Sequence, residues 1–277
     1  MDIKYLVFTD MDGTLLDHHS YSFQPAVPML EQLATHQIPV IPNTSKTFAE
    51  LMILREKISL DTPFIVENGA AVYIPKTTFS EQPEGTDSEG DYWVKAFSQP
   101  RQYWLVLLAQ YGAPYKSYYK GFSDMTTDEL SLATGLSLKD AQLANTRQFS
   151  EPLQWLGDEK QKTDFTINMQ GAGANVLQGG RFVHISGKCN KGIAMNWLTQ
   201  CYEQLHKQQD SQATTKNIAL GDSFNDNDML EAADIAVQIK SPKHSYPKLF
   251  RTDNLWQSEM TGPSGWTECL QKILKLS

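Results

Sequence analysis

The chain has 277 residues and a formal net charge of −8, long enough for one large or two moderate domains with a core of their own. That charge speaks against a nucleic-acid or anionic-membrane surface. It leaves room for a small anionic substrate, because screening within about 8 Å at physiological salt lets nearby cations or a metal decide the matter.

The opening Met1-Asp2-Ile3-Lys4 lacks the charged and apolar regions of a signal peptide. No apolar run is long enough to span a bilayer. Cys189, Cys201 and Cys269 are odd in number and without a CxxC pair, which argues against a disulfide scaffold or zinc site and for a reducing compartment. A soluble, cytoplasmic protein with no membrane or nucleic-acid partner is expected.

Tyr5 to Phe8 is a short apolar run bounded by a polar turn, which predicts a buried strand. The strand delivers Asp10 and Asp12, spaced i and i+2, to its carboxyl end, where open α/β sheets bind ligands. Two aspartates so close raise one another's pKa, and a divalent cation or a shared proton resolves the repulsion. Gly13 suits a turn with positive φ or a close ligand approach.

Pro25 to Ala34 has helical spacing, Ile38 to Pro42 reads as a second strand, and Asn43-Thr44-Ser45-Lys46 follows it. Thr47 and Glu50 form a capping-box signature for the next helix. Phe64 to Val66 is a third strand, then come Glu67-Asn68-Gly69-Ala70 and a hairpin partner over Ala71 to Ile74. This alternation predicts a parallel α/β core.

The texture changes at Pro75, and residues 80–91 read as a polar loop or linker. Helices are predicted over Tyr103 to Tyr111, from Thr126-x-x-Glu129, and over Leu138 to Thr146. Val176 to Gln178 and Arg181 to Ile185 flank Gly179-Gly180, a hairpin signal. Thr163 to Ala174 shows no clean period. Beyond Lys188, Ile193 to Leu205 marks a long helix and Asn217 to Leu220 a strand ending in Gly221-Asp222-Ser223-Phe224-Asn225-Asp226. A short helix, a strand over Ile235 to Ile239, and Gly262-Pro263-Ser264-Gly265-Trp266 leading into a last helix complete the chain.

Asp10-Met11-Asp12-Gly13-Thr14-Leu15 resembles the nucleophile loop of the haloacid dehalogenase superfamily of phosphotransferases. The resemblance implies that Asp10 is phosphorylated and that Asp12 acts as general acid and base. A carboxylate nucleophile splits phosphate-ester hydrolysis into two easier displacements. Asp222 would complete a Mg²⁺ site with the Asp10 carboxylate and the Asp12 carbonyl, a modest oxygen set that suits this ion. Asn225 and Asp226 would be outer or weaker ligands, with Asp226 also fit to cap a helix. Thr44 and Ser45 would hold phosphoryl oxygens at a helix start, and Lys191, with Lys188 as its rival, would neutralise the remaining charge.

Four such stations in order match the superfamily's motifs, and the insertion between the second and third stands where C2-type members carry a cap. The implied architecture is an α/β, Rossmann-like parallel-sheet core over residues 1–82 and 187–277, with an inserted α+β cap over 83–186. Asn43 to Thr47, Glu67 to Ala70, Thr134-Gly135-Leu136, Ser150-Glu151-Pro152, Gly179 to His184 and Gly262 to Trp266 are similar to stretches of the mannosyl-3-phosphoglycerate phosphatases. Thr44 for serine, Asn43 where cysteine is usual, and the irregular 163–174 stretch depart from that pattern.

The resemblance implies a Mg²⁺-dependent phosphatase acting on mannosyl-3-phosphoglycerate, a small phosphorylated sugar acid. Arg181 presents the fork a carboxylate prefers, and it and His184, from one predicted strand, are both expected toward the glycerate or its phosphate. Glu67 and Asn68 are expected near sugar hydroxyls, and Trp93, Trp104 and Trp155 in the core. Glucosyl-3-phosphoglycerate or another sugar phosphate stands as an alternative substrate. So does, in a different class, a catalytically inactive phosphosugar-binding protein.

Overall fold

The computed structural model describes residues 3–178 and 182–276. In chain order its elements begin with β1 (Ile3–Thr9), α1 (Val27–Thr35), β2 (Val40–Pro42), α2 (Phe48–Ile58), β3 (Phe64–Val66), β4 (Ala71–Pro75), β5 (Asp87–Glu89) and β6 (Tyr92–Ala96). There follow α3 (Arg101–Tyr111), β7 (Tyr119–Gly121), α4 (Thr127–Thr134), α5 (Leu138–Ala144), β8 (Glu151–Trp155), α6 (Glu159–Gly171), β9 (Asn175–Gln178) and β10 (Val183–Ser186). The chain ends with α7 (Lys191–Gln209), β11 (Thr214–Gly221), α8 (Asn227–Ala232), β12 (Ile235–Lys240), β13 (Leu255–Thr261) and α9 (Gly262–Leu274).

By their internal contacts these elements form two units, one of residues 1–44, 58–95 and 190–277 and one of 45–57 and 96–189. The first is built on a five-stranded sheet in the order β13-β12-β11-β1-β2, parallel throughout. Its middle strand ends are fully apolar and buried, as a sheet covered on both faces requires: Leu6, Val7 and Phe8 of β1 and Ile218, Ala219 and Leu220 of β11. β13 was not evident in the sequence, because an edge strand leaves most of its side chains exposed and only Ser258 buried.

The third predicted strand does not extend that sheet as a full member. β3 pairs antiparallel with β4, in a second sheet of order β3-β4-β6-β5. The isolated parallel bridge of Asn43 with Ile65 links it toward β2. Residues 80–91, read from sequence as a linker, include β5, which pairs with β6 across Gly90. The segment 83–95 therefore groups with the first unit.

The second unit has an antiparallel sheet, β7-β8-β10-β9. One face carries Tyr119, Leu153, Val183 and Ile185 into an apolar core with Trp104 and Leu108 of α3 and Phe165 and Met169 of α6. The stretch over 163–174 that showed no period is thus largely helix. A capping box between Asp158 and Gln161 starts α6, and its i, i+4 pair Phe165 and Met169 packs it onto that core. Trp93 and Trp104 are buried as expected, and Trp155 is partly buried against the same core. The Thr47–Glu50 and Thr126–Glu129 capping boxes both form. The Gly179-Gly180 turn and Arg181 lie outside the described residues, while β9 and β10 on either side pair antiparallel.

Candidate active site

Parallel pairing in register explains why distant residues meet. Thr9 of β1 stands opposite Leu220 of β11 and Pro42 of β2. The residues just past these positions therefore emerge side by side at three neighbouring strand ends. Asp10 N–H still donates to Leu220 O at 2.9 Å, and Asn43 N–H donates to Thr9 O at 2.8 Å. Asp10, Asn43-Thr44 and Gly221-Asp222 are thereby brought to one edge, where an open α/β sheet binds its ligand.

Lys191 enters from the first turn of α7, whose N-cap Asn190 accepts a hydrogen bond from Ile193 N–H at 2.8 Å. Its ammonium is fully buried and donates to Asp10 Oδ1 and to Asp226 Oδ1, each at 2.6 Å. Asp226 Oδ2 accepts from the backbone N–H groups of Asp222 at 3.1 Å and Ser223 at 3.0 Å. One carboxylate therefore both caps its own loop and pairs with the lysine. Lys188 is exposed.

One carboxylate oxygen from each of Asp10, Asp222 and Asp226 lies within 4.8 Å of the others. Asp226, read from sequence as an outer ligand, is thus inside the cluster. Three buried carboxylates against a single ammonium would, if all were ionised, leave two negative charges in excess. Burial pushes the Asp10 carboxyl up to about 7, with Lys191 pulling it down and Asp226 and Asp12 pushing it further up. Asp222 is raised to about 8 by burial first, then by Asp10 and Asp226. Burial works against the Lys191 charge, yet Asp10 and Asp226 outweigh it and raise the pKa. A divalent cation fits this set: hard oxygen donors, an uncompensated double charge, and acids that resist ionising without it.

The loop is shaped to Asp222. Thr14 Oγ1 donates to Asp222 Oδ1 at 3.3 Å. Gly13 has φ +80°, and a Cβ there would lie 2.7 Å from Asp222 Oδ2, so only glycine serves. Glu67, Asn68 and Gly69 are three successive left-handed residues. A Cβ on Gly69 would fall 2.1 Å from Asn190 O, so this loop seats directly against the start of α7. Asn68 N–H donates to Thr44 O at 2.9 Å, and Asn68 Oδ1 accepts from Asn225 Nδ2 at 3.0 Å. Asn225 thus ties the Glu67-Asn68 loop to the Asp222 loop.

Sequence reasoning gave no individual role to Asn43, Thr14 or Arg147. Asn43 Nδ2 donates to Lys191 O at 3.0 Å and so fixes the lysine's backbone. Ser45, His184 and Arg147 belong to the second unit. There Arg147 donates through Nη2 to Ser45 O at 2.8 Å and through Nε to Ser150 Oγ at 3.0 Å. His184 stands opposite Pro152 on β8, on the face away from the apolar core. Burial, then the Arg147 charge, lowers its pKa to about 3, and among the described residues its Nδ1 has no hydrogen-bond partner.

These shifts predict a pH response with a definite sign. Folded Asp10 and Asp222 hold protons up to about 7 and 8, whereas unfolded carboxylates release them near pH 4. Between about pH 4 and 8 the folded state binds more protons than the unfolded one, so stability falls as pH rises through that window. His184 acts oppositely and only lower down, losing stability as pH falls below about 6.5 toward 3. Between pH 6.5 and 8 the aspartate slope stands alone among these groups. Metal-free protein should melt lower at pH 8 than at 6.5, and millimolar Mg²⁺ should raise the melting point more at pH 8. Thermal melts in EDTA and in Mg²⁺ at both pH values check this; an equal Mg²⁺ effect at both would contradict it.

Carboxylates and a lysine gathered at adjacent ends of a parallel sheet fit the phosphoryl-transfer hydrolase class that the loop motifs resemble. A model of the haloacid dehalogenase-like hydrolases matches residues 7–246, and the chain belongs to that family. It is 35% identical over 274 residues to a glucosyl-3-phosphoglycerate/mannosyl-3-phosphoglycerate phosphatase of Methanococcoides burtonii, covering 98% of each chain. A protein of the same name from Persephonella marina is 33% identical over 270 residues, covering 97% of each. Among solved structures, the haloacid dehalogenase superfamily phosphatase BT1666 from Bacteroides thetaiotaomicron aligns with a TM-score of 0.67 at 15% identity, over 100% of this chain and 96% of that one. The protein is a phosphoric monoester hydrolase, as the resemblance implied.

Proposed function

We propose that the chain is a Mg²⁺-dependent phosphatase that hydrolyses mannosyl-3-phosphoglycerate to mannosylglycerate and phosphate through an aspartyl-phosphate. The observation that carries the reading is the buried Asp10–Lys191–Asp226 cluster with Asp222 beside it. The names of two relatives at 33–35% identity support the substrate class.

In this reading Asp10 attacks phosphorus and the bond to the glycerate oxygen breaks. Asp12 gives that oxygen a proton, then takes one from the water that cleaves the acyl phosphate. Thr44, Ser45 and Lys191 hold phosphoryl oxygens, and the lysine's two carboxylate partners keep its ammonium charged and placed. Asp10, Asp222 and the Asp12 carbonyl would hold Mg²⁺, with Asn225 and Asp226 behind them. When bound, the ion neutralises charge between the anionic nucleophile and the anionic ester.

Glu67 and Asn68 face the sugar hydroxyls in this reading, Asn68 through its amide Nδ2–H because Oδ1 is engaged by Asn225. Arg181 and His184 recognise the glycerate. The Nδ1 of a neutral His184, without a partner among the described residues, supports a ligand contact there. Three free thiols support action in a reducing, cytoplasmic compartment.

The relatives' names join two sugars, which favours a second reading in which the glucosyl compound is also a substrate. A phosphate-release screen of purified protein over both glycosyl-3-phosphoglycerates, hexose phosphates and 3-phosphoglycerate, in Mg²⁺ and in EDTA, tests both. Mannosyl-3-phosphoglycerate should give the highest kcat/KM, and EDTA should abolish release. Faster turnover of a plain hexose phosphate would overturn the substrate assignment, and full activity in EDTA the metal.

A further inference from the structure

The Gly262-to-Trp266 motif plays no part in the chemistry above, yet it reaches the nucleophile strand. Gly262 has φ +52°, and a Cβ on Gly265 would fall 2.2 Å from Met260 O and 2.6 Å from Ser258 Oγ. Two glycines therefore let the first turn of α9 lie close against the end of β13, with Pro263 in the first helical turn where its missing N–H costs nothing. That approach drops Trp266 into the interior, fully buried. A buried indole N–H needs an acceptor, and Trp266 Nε1 donates to Thr9 Oγ1 at 3.1 Å. The same hydroxyl donates to Asp10 O at 2.7 Å.

The position of that carbonyl matters. Asp10 N–H makes the last regular ladder bond, to Leu220 O at 2.9 Å. Past it the chain leaves the sheet, and among the described residues the Asp10 carbonyl receives the Thr9 hydroxyl at 2.7 Å and a long contact of 3.4 Å from Leu15 N–H. We infer that Trp266 is a positioning residue: its N–H orients the Thr9 hydroxyl, which holds the Asp10 peptide and so aims the carboxylate. The inference rests on Asp10 being the nucleophile. A displacement of about 1 Å in a reacting group costs on the order of a hundredfold in rate, so a slackened Asp10 peptide lowers kcat and leaves substrate affinity in place.

The test uses Trp266→Phe, Thr9→Val and the double variant in the full chain with Mg²⁺, reading kcat, KM and melting point, with p-nitrophenyl phosphate and mannosyl-3-phosphoglycerate as substrates. Each single variant should lose about tenfold in kcat with KM within about twofold. The double variant should be no slower than the slower single, because both remove one relay, and Thr9→Ser should restore turnover. If Trp266→Phe does not fold, benzothienylalanine at position 266, which replaces the N–H by sulfur in the same ring outline, should show the same kcat loss. Losses that multiply in the double variant, or unchanged kcat in the singles while Asp10→Asn is dead, overturn the relay. An active Asp10→Asn overturns the nucleophile reading itself, and the relay with it.

Discussion

Asp10→Asn should lower turnover by on the order of 10⁴–10⁶-fold, the range seen when a covalent nucleophile is removed, while leaving the protein folded. The substitution keeps the side-chain outline and an oxygen that can still accept from Lys191, so geometry survives. Only the charge and the nucleophilicity go. The net upward shift of the Asp10 carboxyl to about 7 means that burial and its acidic neighbours outweigh the lysine's attraction. Neutral asparagine therefore costs the metal-free fold nothing at pH 8, and its melting point should equal or exceed that of the parent. Adding Mg²⁺ should stabilise the variant less than the parent, because one ligand charge is missing. Phosphate release and melts on the same preparation check all three results. Residual turnover above about 1% in clean protein would mean that no acyl phosphate forms at this residue.

The local chemistry of turns is why the stations of this site could be read from the chain. Asp10-to-Leu15, Asn43-to-Lys46 and Gly221-to-Asp226 each follow a short apolar strand, and each carries polar or glycine residues that such a strand would not otherwise end in. What binds the stations together is not local. Thr14 reaches Asp222 across 208 residues, Asn43 reaches the Lys191 carbonyl across 148, and Trp266 reaches Thr9 across 257. No window of sequence contains both partners, so only the parallel register reveals them.

α6 escaped for another reason. Of its thirteen residues only Phe165 and Met169 are buried, too few to print a period, and the Asp158–Gln161 capping box was the signal that could have found it. The boundary near residue 83 differed because the acidic Asp87–Glu89 segment looks like linker, yet it is an exposed edge strand held by β6. The double use of Asp226 was half legible: a cap for the next helix was expected, whereas its carboxylate accepts from its own loop at Asp222 and Ser223 and not from α8, and its pairing with Lys191 required α7.

Lys191→Met should be the most destabilising single change at the site. The parent ammonium has no exposure to water and sits at 2.6 Å from two carboxylates. Methionine matches its length without the charge, so the loss is electrostatic. Breaking one side of a buried ion pair typically costs about 3–5 kcal/mol, because the remaining charge stays buried without a partner. For a chain near this size that is on the order of 10 °C in melting point. Activity should fall by at least about 10³-fold, since the lysine is also the cation offered to the phosphoryl group.

A second substitution separates these two roles. Lys191→Met with Asp226→Asn removes one of the stranded carboxylates, and should recover part of the lost melting temperature with no recovery of turnover. High Mg²⁺ should act in the same direction on stability by supplying positive charge beside Asp10 and Asp222. If Lys191→Met melts within a degree of the parent, then Asp10 and Asp226 are not held together by that charge. If the double variant regains activity, the phosphoryl group never depended on the lysine.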